Sequence, residues 1–207
     1  MVERRLLDIT LERLKDIPLP CRECAHWEMH SDSIDYVPRE EERIQKEKWY
    51  SWGLARGEAG GKLFYYGNQG IAYAQFGRPP LFPRLSSYGV GGLVGPDAIF
   101  LSCLFVAEGF RGRGFGTLLL RSILKDLYKS KAKAIETIPT GGPFPAKPSD
   151  LVGFFLRNGF HIKEDDPQHP LLRLDFKSLV RVQDGLQGFL DRIKMSLHYG
   201  TRAPVAR

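Results

Sequence analysis

The stretch Val106-Ala107-Glu108-Gly109-Phe110-Arg111-Gly112-Arg113-Gly114-Phe115-Gly116-Thr117 constrains the fold of this chain more than any other. It follows an apolar run, 99–106, whose β-branched and aromatic residues read as a buried strand. It precedes an amphipathic run, 118–128, with Leu119, Ile123, Leu124, Leu127 and Tyr128 on one helical face. Arg121, Ser122, Lys125, Asp126 and Lys129 lie on the other. The first turn of a helix leaves amide donors without partners, and the helix dipole favours negative charge there. Gly112, Gly114 and Gly116 remove side chains that would block close approach. Arg111 and Arg113 add fork-shaped cationic donors suited to phosphate. The loop is expected to bind a phosphorylated ligand.

Two common phosphate loops do not fit. A P-loop needs lysine where Phe115 stands, and a dinucleotide fingerprint needs a Gly-x-Gly-x-x-Gly spacing that glycines at 112, 114 and 116 lack. The pattern that fits is Arg-x-x-Gly-x-Gly, read as Arg111, Gly114 and Gly116 after a strand ending in Val106. It resembles the acyl-CoA pyrophosphate loop of the GCN5-related N-acetyltransferase (GNAT) superfamily; the bland alternative is a basic, glycine-rich surface turn. A second resemblance is a helix closing on Asn158-Gly159-Phe160 before a strand. The likeness covers 62–176 well and 1–61 by element order alone. It implies an α/β (α+β) fold with a mostly antiparallel sheet, a central parallel strand pair and flanking helices.

The chain reads as one domain over 1–176, followed by an amphipathic helix and tail over 177–207. In that tail Leu179, Val182, Leu186, Phe189, Leu190, Ile193 and Leu197 recur at helical spacing, for packing on the domain or in a homodimer. The 43% hydrophobic and 26% charged fractions are ordinary for a globular protein. No apolar run approaches the roughly 20 residues of a membrane span, and no signal-peptide core follows the start. An odd cysteine count argues against a disulfide framework and for a reducing cytoplasm. The net charge of +6 suits anionic partners, but no dense basic cluster with interleaved aromatics points to nucleic acid.

Along the chain, 5–10 reads as a strand or short helix and 24–29 as a strand. Cys21, Cys24, His26 and His30 are zinc-ligand types, but their spacing departs from that of structural sites, so no metal is expected. Residues 38–53 form a helix whose buried side is read as Ile44, the stem of Lys48, Trp49 and Trp52. By the resemblance, Trp49, Tyr50 and Trp52 border the acceptor site, with core packing as the rival reading. Runs 62–66 and 71–76 make a hairpin, and 77–97 a Pro/Gly-rich acceptor-side flap or plain insertion. A strand over 132–138 should lie parallel to 99–106, and a helix over 149–157 should precede a closing hairpin.

The resemblance implies acyl transfer from acetyl-CoA to an amine of a small molecule or protein. Its cofactor-binding positions here are Leu104, Phe105, Val106, Arg111, Gly112, Arg113, Gly114, Phe115, Gly116, Thr117 and Phe155. Amides near Leu104 and Phe105 would polarise the thioester carbonyl, and the strand edge would receive the pantetheine arm. Many family members carry a glutamate where Phe100 stands, a tyrosine where Phe155 stands and an asparagine where Pro148 stands. The remaining catalytic candidates are Glu136 as a base and Ser102 as a water anchor. Glu136 also reads as a solvated strand residue. Cys103 alternates away from Phe100 and Ser102, which argues against an acetyl-cysteine intermediate. The departures at Phe100 and Phe155 keep an alternative open, an acyl-CoA-binding or regulatory module of the same fold without turnover.

Overall fold

The computed structural model describes residues 2–30, 37–140 and 148–177. Its strands are β1 (Arg4–Asp8), β2 (Ala59–Tyr66), β3 (Gln69–Gly77), β4 (Ala98–Val106), β5 (Ala134–Thr137), β6 (His161–Glu164) and β7 (Leu171–Asp175). Among the described residues, three α-helices accompany them: α1 (Arg39–Ala55), α2 (Phe115–Lys129) and α3 (Pro148–Arg157). The strands form one sheet in the order β1-β2-β3-β4-β5-β7-β6. Among the described residues, β4 and β5 run parallel and the other neighbours are antiparallel. The expected mixed sheet with a central parallel pair is therefore present.

Helices cover both faces. On one, Leu119, Leu120, Ile123 and Leu124 of α2 and Phe155 of α3 pack on Phe64, Leu101 and Ile135 of the sheet. Burial of this stripe, at roughly 25 cal/mol per Å² of apolar area, drives the docking of α2. On the other face Tyr50 of α1 packs with Leu63, Tyr65 and Tyr73. Beside it, Trp27, Phe82, Leu85 and Val90 cover Phe100 and Ile138.

Several local readings change. Residues 24–29 are a turn segment rather than a strand. The Glu28 amide donates to the Ala25 carbonyl, and the Ala25 amide to the Glu42 carboxylate at 2.9 Å, so side chain and turn replace a ladder. The buried face of α1 is also rotated: Lys46, Tyr50 and Gly53 are buried, whereas Ile44 and Trp52 are exposed. Gly53 lies against Ala59, where any side chain would collide. Trp49 is half-buried and donates its indole N–H to the Leu81 carbonyl at 2.7 Å. The 5–10 segment resolves into β1 followed by a 3-10 turn, Leu11–Asp16. The amphipathic run at 179–197, with the rest of 178–207, and residues 141–147 lie outside the described residues.

A β-bulge sits at the centre of the sheet. Gln75 pairs with Cys103 and Phe76 with Leu101, so Ser102 is the extra residue on β4. The strict alternation expected for this strand therefore breaks. Phe100 and Cys103 both pack on the α1 side, whereas Leu101 and Leu104 pack on the α2 side. Cys103 does not point away from Phe100, because one inserted residue shifts the phase of everything after it.

Candidate active site

The parallel ladder is short. It runs from Ala98↔Ala134 to Phe100↔Glu136, and beyond it the Thr137 hydroxyl donates to the Leu101 carbonyl at 2.8 Å. Among the described residues no strand pairs with 102–106 on that side. Phe100, Leu101 and Ser102 are buried, but Cys103, Leu104, Phe105 and Val106 are half-buried. The sheet thus opens into a fork between the ends of β4 and β5, with backbone at its edge suited to an added extended chain.

The glycine loop lies at one mouth of this fork. Arg111 donates from Nε to the Val106 carbonyl at 3.0 Å, which folds the loop back on the end of β4. Gly112 and Gly114 take φ values of +73° and +81°, a left-handed conformation that glycine adopts without penalty. Nothing lies within 4 Å of where a Cβ would stand on either, so both glycines front open space. Helix α2 begins at Phe115, and the Leu118 amide is the first to reach a carbonyl, that of Gly114 at 3.0 Å. This leaves the amides of Phe115, Gly116 and Thr117 as the open donors of the helix start. Arg111 and Arg113 are exposed beside them. The helix dipole, the open amides and two exposed arginines in the same loop make an anion cradle of the kind a pyrophosphate uses. The residues present fit that group.

Gly116 faces the fork itself. A Cβ there would stand 3.6 Å from Leu104, Val106 and Phe154, so the helix start, the open strand and α3 converge at this point. The predicted residues Leu104, Val106 and Gly116 are therefore neighbours. Phe155 is placed elsewhere: it is buried in the core, its ring 5.1 Å from that of Phe160. The half-buried Phe154 is the residue of this pair that reaches the loop. A one-residue step on a helix turns about 100°, which the apolar Phe-Phe pair does not disclose in sequence.

The catalytic candidates are also differently placed. Glu136 is neither a solvated residue nor an available base. It is fully buried, accepts the Gly95 amide at 2.8 Å, and pairs with Arg173 at 2.6 Å and Lys163 at 3.0 Å. Asp97 holds the same Arg173 at 3.1 Å. With its charge met by two cations, Glu136 ties the end of the 77–97 segment to β6 and β7. Ser102 is buried, and its hydroxyl donates to the Gln75 carbonyl at 3.1 Å across the bulge. That bond makes Ser102 a brace for the bulge.

The face opposite the glycine loop carries a polar network in which Lys46, Glu28, Gln75 and Tyr73 are residues that the sequence did not single out. Lys46 Nζ donates to Glu28 Oε1 at 2.5 Å and to Gln75 Oε1 at 2.9 Å. The Tyr73 hydroxyl donates to the same Gln75 oxygen at 2.6 Å and lies 2.8 Å from that of Tyr50. Burial pushes the Tyr50 and Tyr73 phenols well up, so both stay neutral. Nearer the fork, the His26 Nε2 and Tyr88 hydroxyl are 2.8 Å apart. Burial, reinforced by the Arg84 charge, lowers His26 to about 4, so its ring is neutral at pH 7. Cys21 and Cys24 are buried free thiols, and burial pushes Cys24 up to about 12. The spacing of Cys21, Cys24 and His26 is visible in the sequence, but no motif marks Lys46, Glu28, Gln75 or Tyr73, which the fold assembles from α1, β3 and the 24–30 segment.

The 77–97 segment is a built wall rather than loose chain. Three 3-10 turns, Pro79–Leu81, Pro83–Ser87 and Gly91–Leu93, bury Phe82, Leu85 and Val90 against the sheet. Among the described residues, no helix is long and apolar enough to cross a membrane.

The sequence model of the acetyltransferase (GNAT) family matches residues 21–160, about two-thirds of the chain. No curated protein matches in sequence. Solved structures of low identity share the fold. A PaiA N-acetyltransferase from Thermoplasma acidophilum, in complex with coenzyme A, is 11% identical with a TM-score of 0.58, over 84% of this chain and 99% of that one. An acetyltransferase from Thermus thermophilus is 13% identical, with a TM-score of 0.54 over 84% and 97% of the two chains. An aminoglycoside acetyltransferase in complex with coenzyme A is 18% identical, with a TM-score of 0.55 over 87% and 99%.

Proposed function

From the premise that the chain belongs to the GNAT family of acetyltransferases, we propose that it transfers the acetyl group of acetyl-CoA to an amine. The observation that carries this reading is the anion cradle at Gly112–Thr117, set at the mouth of the β4–β5 fork. In this reading the loop amides and Arg111 and Arg113 hold the pyrophosphate. The open edge of β4, at Leu104, Phe105 and Val106, takes the pantetheine arm. Phe154 and Gly116 flank it, and the amine enters from the face of α1, under the wall formed by 77–97.

The chemistry asks little of side chains. A thiol of pKa about 8.5 leaves tolerably as thiolate near neutrality, whereas an alkylammonium of pKa about 10.4 must lose a proton before it attacks. Backbone amides at the fork would stabilise the oxyanion without any particular residue type. A second reading, an acyl-CoA-binding module without turnover, is favoured by Phe100 and Phe155, both buried where many relatives carry ionisable groups. Coenzyme A release across a panel of primary amines separates the two. Turnover on any amine supports the enzyme; tight acetyl-CoA binding with no release supports the module. Gly114→Glu places a carboxylate in the cradle and is expected to abolish acetyl-CoA binding. Unchanged affinity in that variant would mean that the cradle does not hold the cofactor.

A further inference from the structure

Helix α3 offers no phenol to the fork: its Phe155 is buried on the α2 side of the sheet. A phenol stands at the fork on the opposite face. Tyr88, from the 77–97 wall, is half-buried, and its ring stacks on Trp27 at 5.2 Å. Trp27 in turn lies edge-on to Phe100 at 5.1 Å. Phe100 is the last residue of β4 that pairs with β5, so Tyr88 is one ring removed from the point where the strands part. Its hydroxyl also bonds Thr140, just beyond the end of β5, and Arg84. The His26 ring nitrogen meets the same oxygen at 2.8 Å, and the His169 ring, from the β6–β7 connection, packs edge-on to Tyr88 at 5.0 Å.

We propose that Tyr88 is the proton-transfer residue of acetyl transfer, with His26 as the positioning residue that holds its hydroxyl at the fork. The proposal rests on the acetyltransferase reading above. The amine nitrogen bonds to the thioester carbonyl carbon; the C–S bond then breaks and its electron pair stays on sulfur. Tyr88 gives its phenolic proton to that sulfur. The surplus proton on nitrogen passes to the phenolate oxygen, so amide and thiol leave and Tyr88 is restored. A neutral His26 ring can hold the phenol oxygen through Nε2–H and leave the phenolic proton directed at the ligand. Arg84, which faces both residues, favours the phenolate during the transfer, while Glu28 and Lys46 are the other charges that act on His26.

The test does not depend on knowing the amine. The dissociation constant of coenzyme A, measured from about pH 6 to 9 with desulfo-coenzyme A as reference, reports the thiol pKa in the complex. A phenol bonded to sulfur holds that pKa below the free value of about 8.5. Tyr88→Phe keeps the ring stack and is expected to raise the bound thiol pKa by about one unit, a tenfold shift in the thiolate ratio. The affinity for desulfo-coenzyme A should not change. His26→Asn is expected to shift the thiol pKa in the same direction by less. On any amine that is turned over, Tyr88→Phe should lower kcat with little change in the KM for acetyl-CoA. Normal coenzyme A binding in Tyr88→Phe with an unchanged thiol pKa overturns the proposal. Absence of coenzyme A binding by the unaltered chain overturns the acetyltransferase reading instead, and this one with it.

Discussion

Lys46 Nζ and Glu28 Oε1 are 2.5 Å apart, with side chains only 6% and 2% exposed, so helix α1 and the 24–30 segment meet through a buried ion pair. Gln75 bonds both partners, at 2.9 Å to Lys46 and 2.8 Å to Glu28, which ties the pair to β3. The attraction of two desolvated charges roughly offsets the cost of burying them, but removal of one strands the other. Lys46→Met should therefore destabilise the protein by about 3–5 kcal/mol. Adding Glu28→Gln to that variant should recover part of the loss. Urea unfolding of the single and double variants checks this; a loss below about 1 kcal/mol for Lys46→Met would contradict it.

Glu136 gives a second test, because its structural and catalytic readings predict different things. Glu136→Gln leaves Arg173 and Lys163 facing a neutral amide, and the loss should be about 3 kcal/mol. The low end of that range applies because the two cations keep some water, at 15% and 25% side-chain exposure. The variant should still bind acetyl-CoA when it is folded. A stable variant that had lost only its catalytic rate would instead point to a base.

The neutral His26 ring makes stability depend on pH in a defined window. Its folded value, about 4, lies below the unfolded value of about 6.5. Between these, the unfolded chain binds a proton that the folded chain does not, so stability falls as the pH drops through the window. The full difference is at most roughly 3–4 kcal/mol. Above about pH 7 this contribution is fully present. His26→Gln should flatten the difference in unfolding free energy between about pH 6.5 and 4.5. A variant whose pH dependence parallels that of the parent protein would contradict the assignment.

The parts of the fold legible in the sequence were those that local rules determine. The glycine loop, the start of α2 and the closing Gly159, at φ +92°, follow from backbone chemistry that few residue types permit. The hairpin of β2 and β3 follows from period and turn residues in the same way. What escaped depends on partners far away in sequence. Lys46 reads as an exposed residue of α1 until Glu28 and Gln75 are placed beside it. The bulge at Ser102 shows only in the register with β3, and it reverses the side assigned to Cys103. His26 and Tyr88, 62 residues apart, share no motif, and only the fold makes them a pair.

In the proposed reading, the cradle at Gly112–Thr117 holds acetyl-CoA. Thermal unfolding with and without acetyl-CoA, with ATP and NAD as controls, tests it most directly. A ligand at about 100 times its dissociation constant should add about 2.7 kcal/mol to the folded state. For a chain of this size that is a rise in Tm of roughly 5–10 °C. Stabilisation by acetyl-CoA and not by the controls is the predicted result. An unchanged Tm at saturating acetyl-CoA would mean that the loop has the shape of the site without its ligand, and the account of this protein as an acetyltransferase would be contradicted.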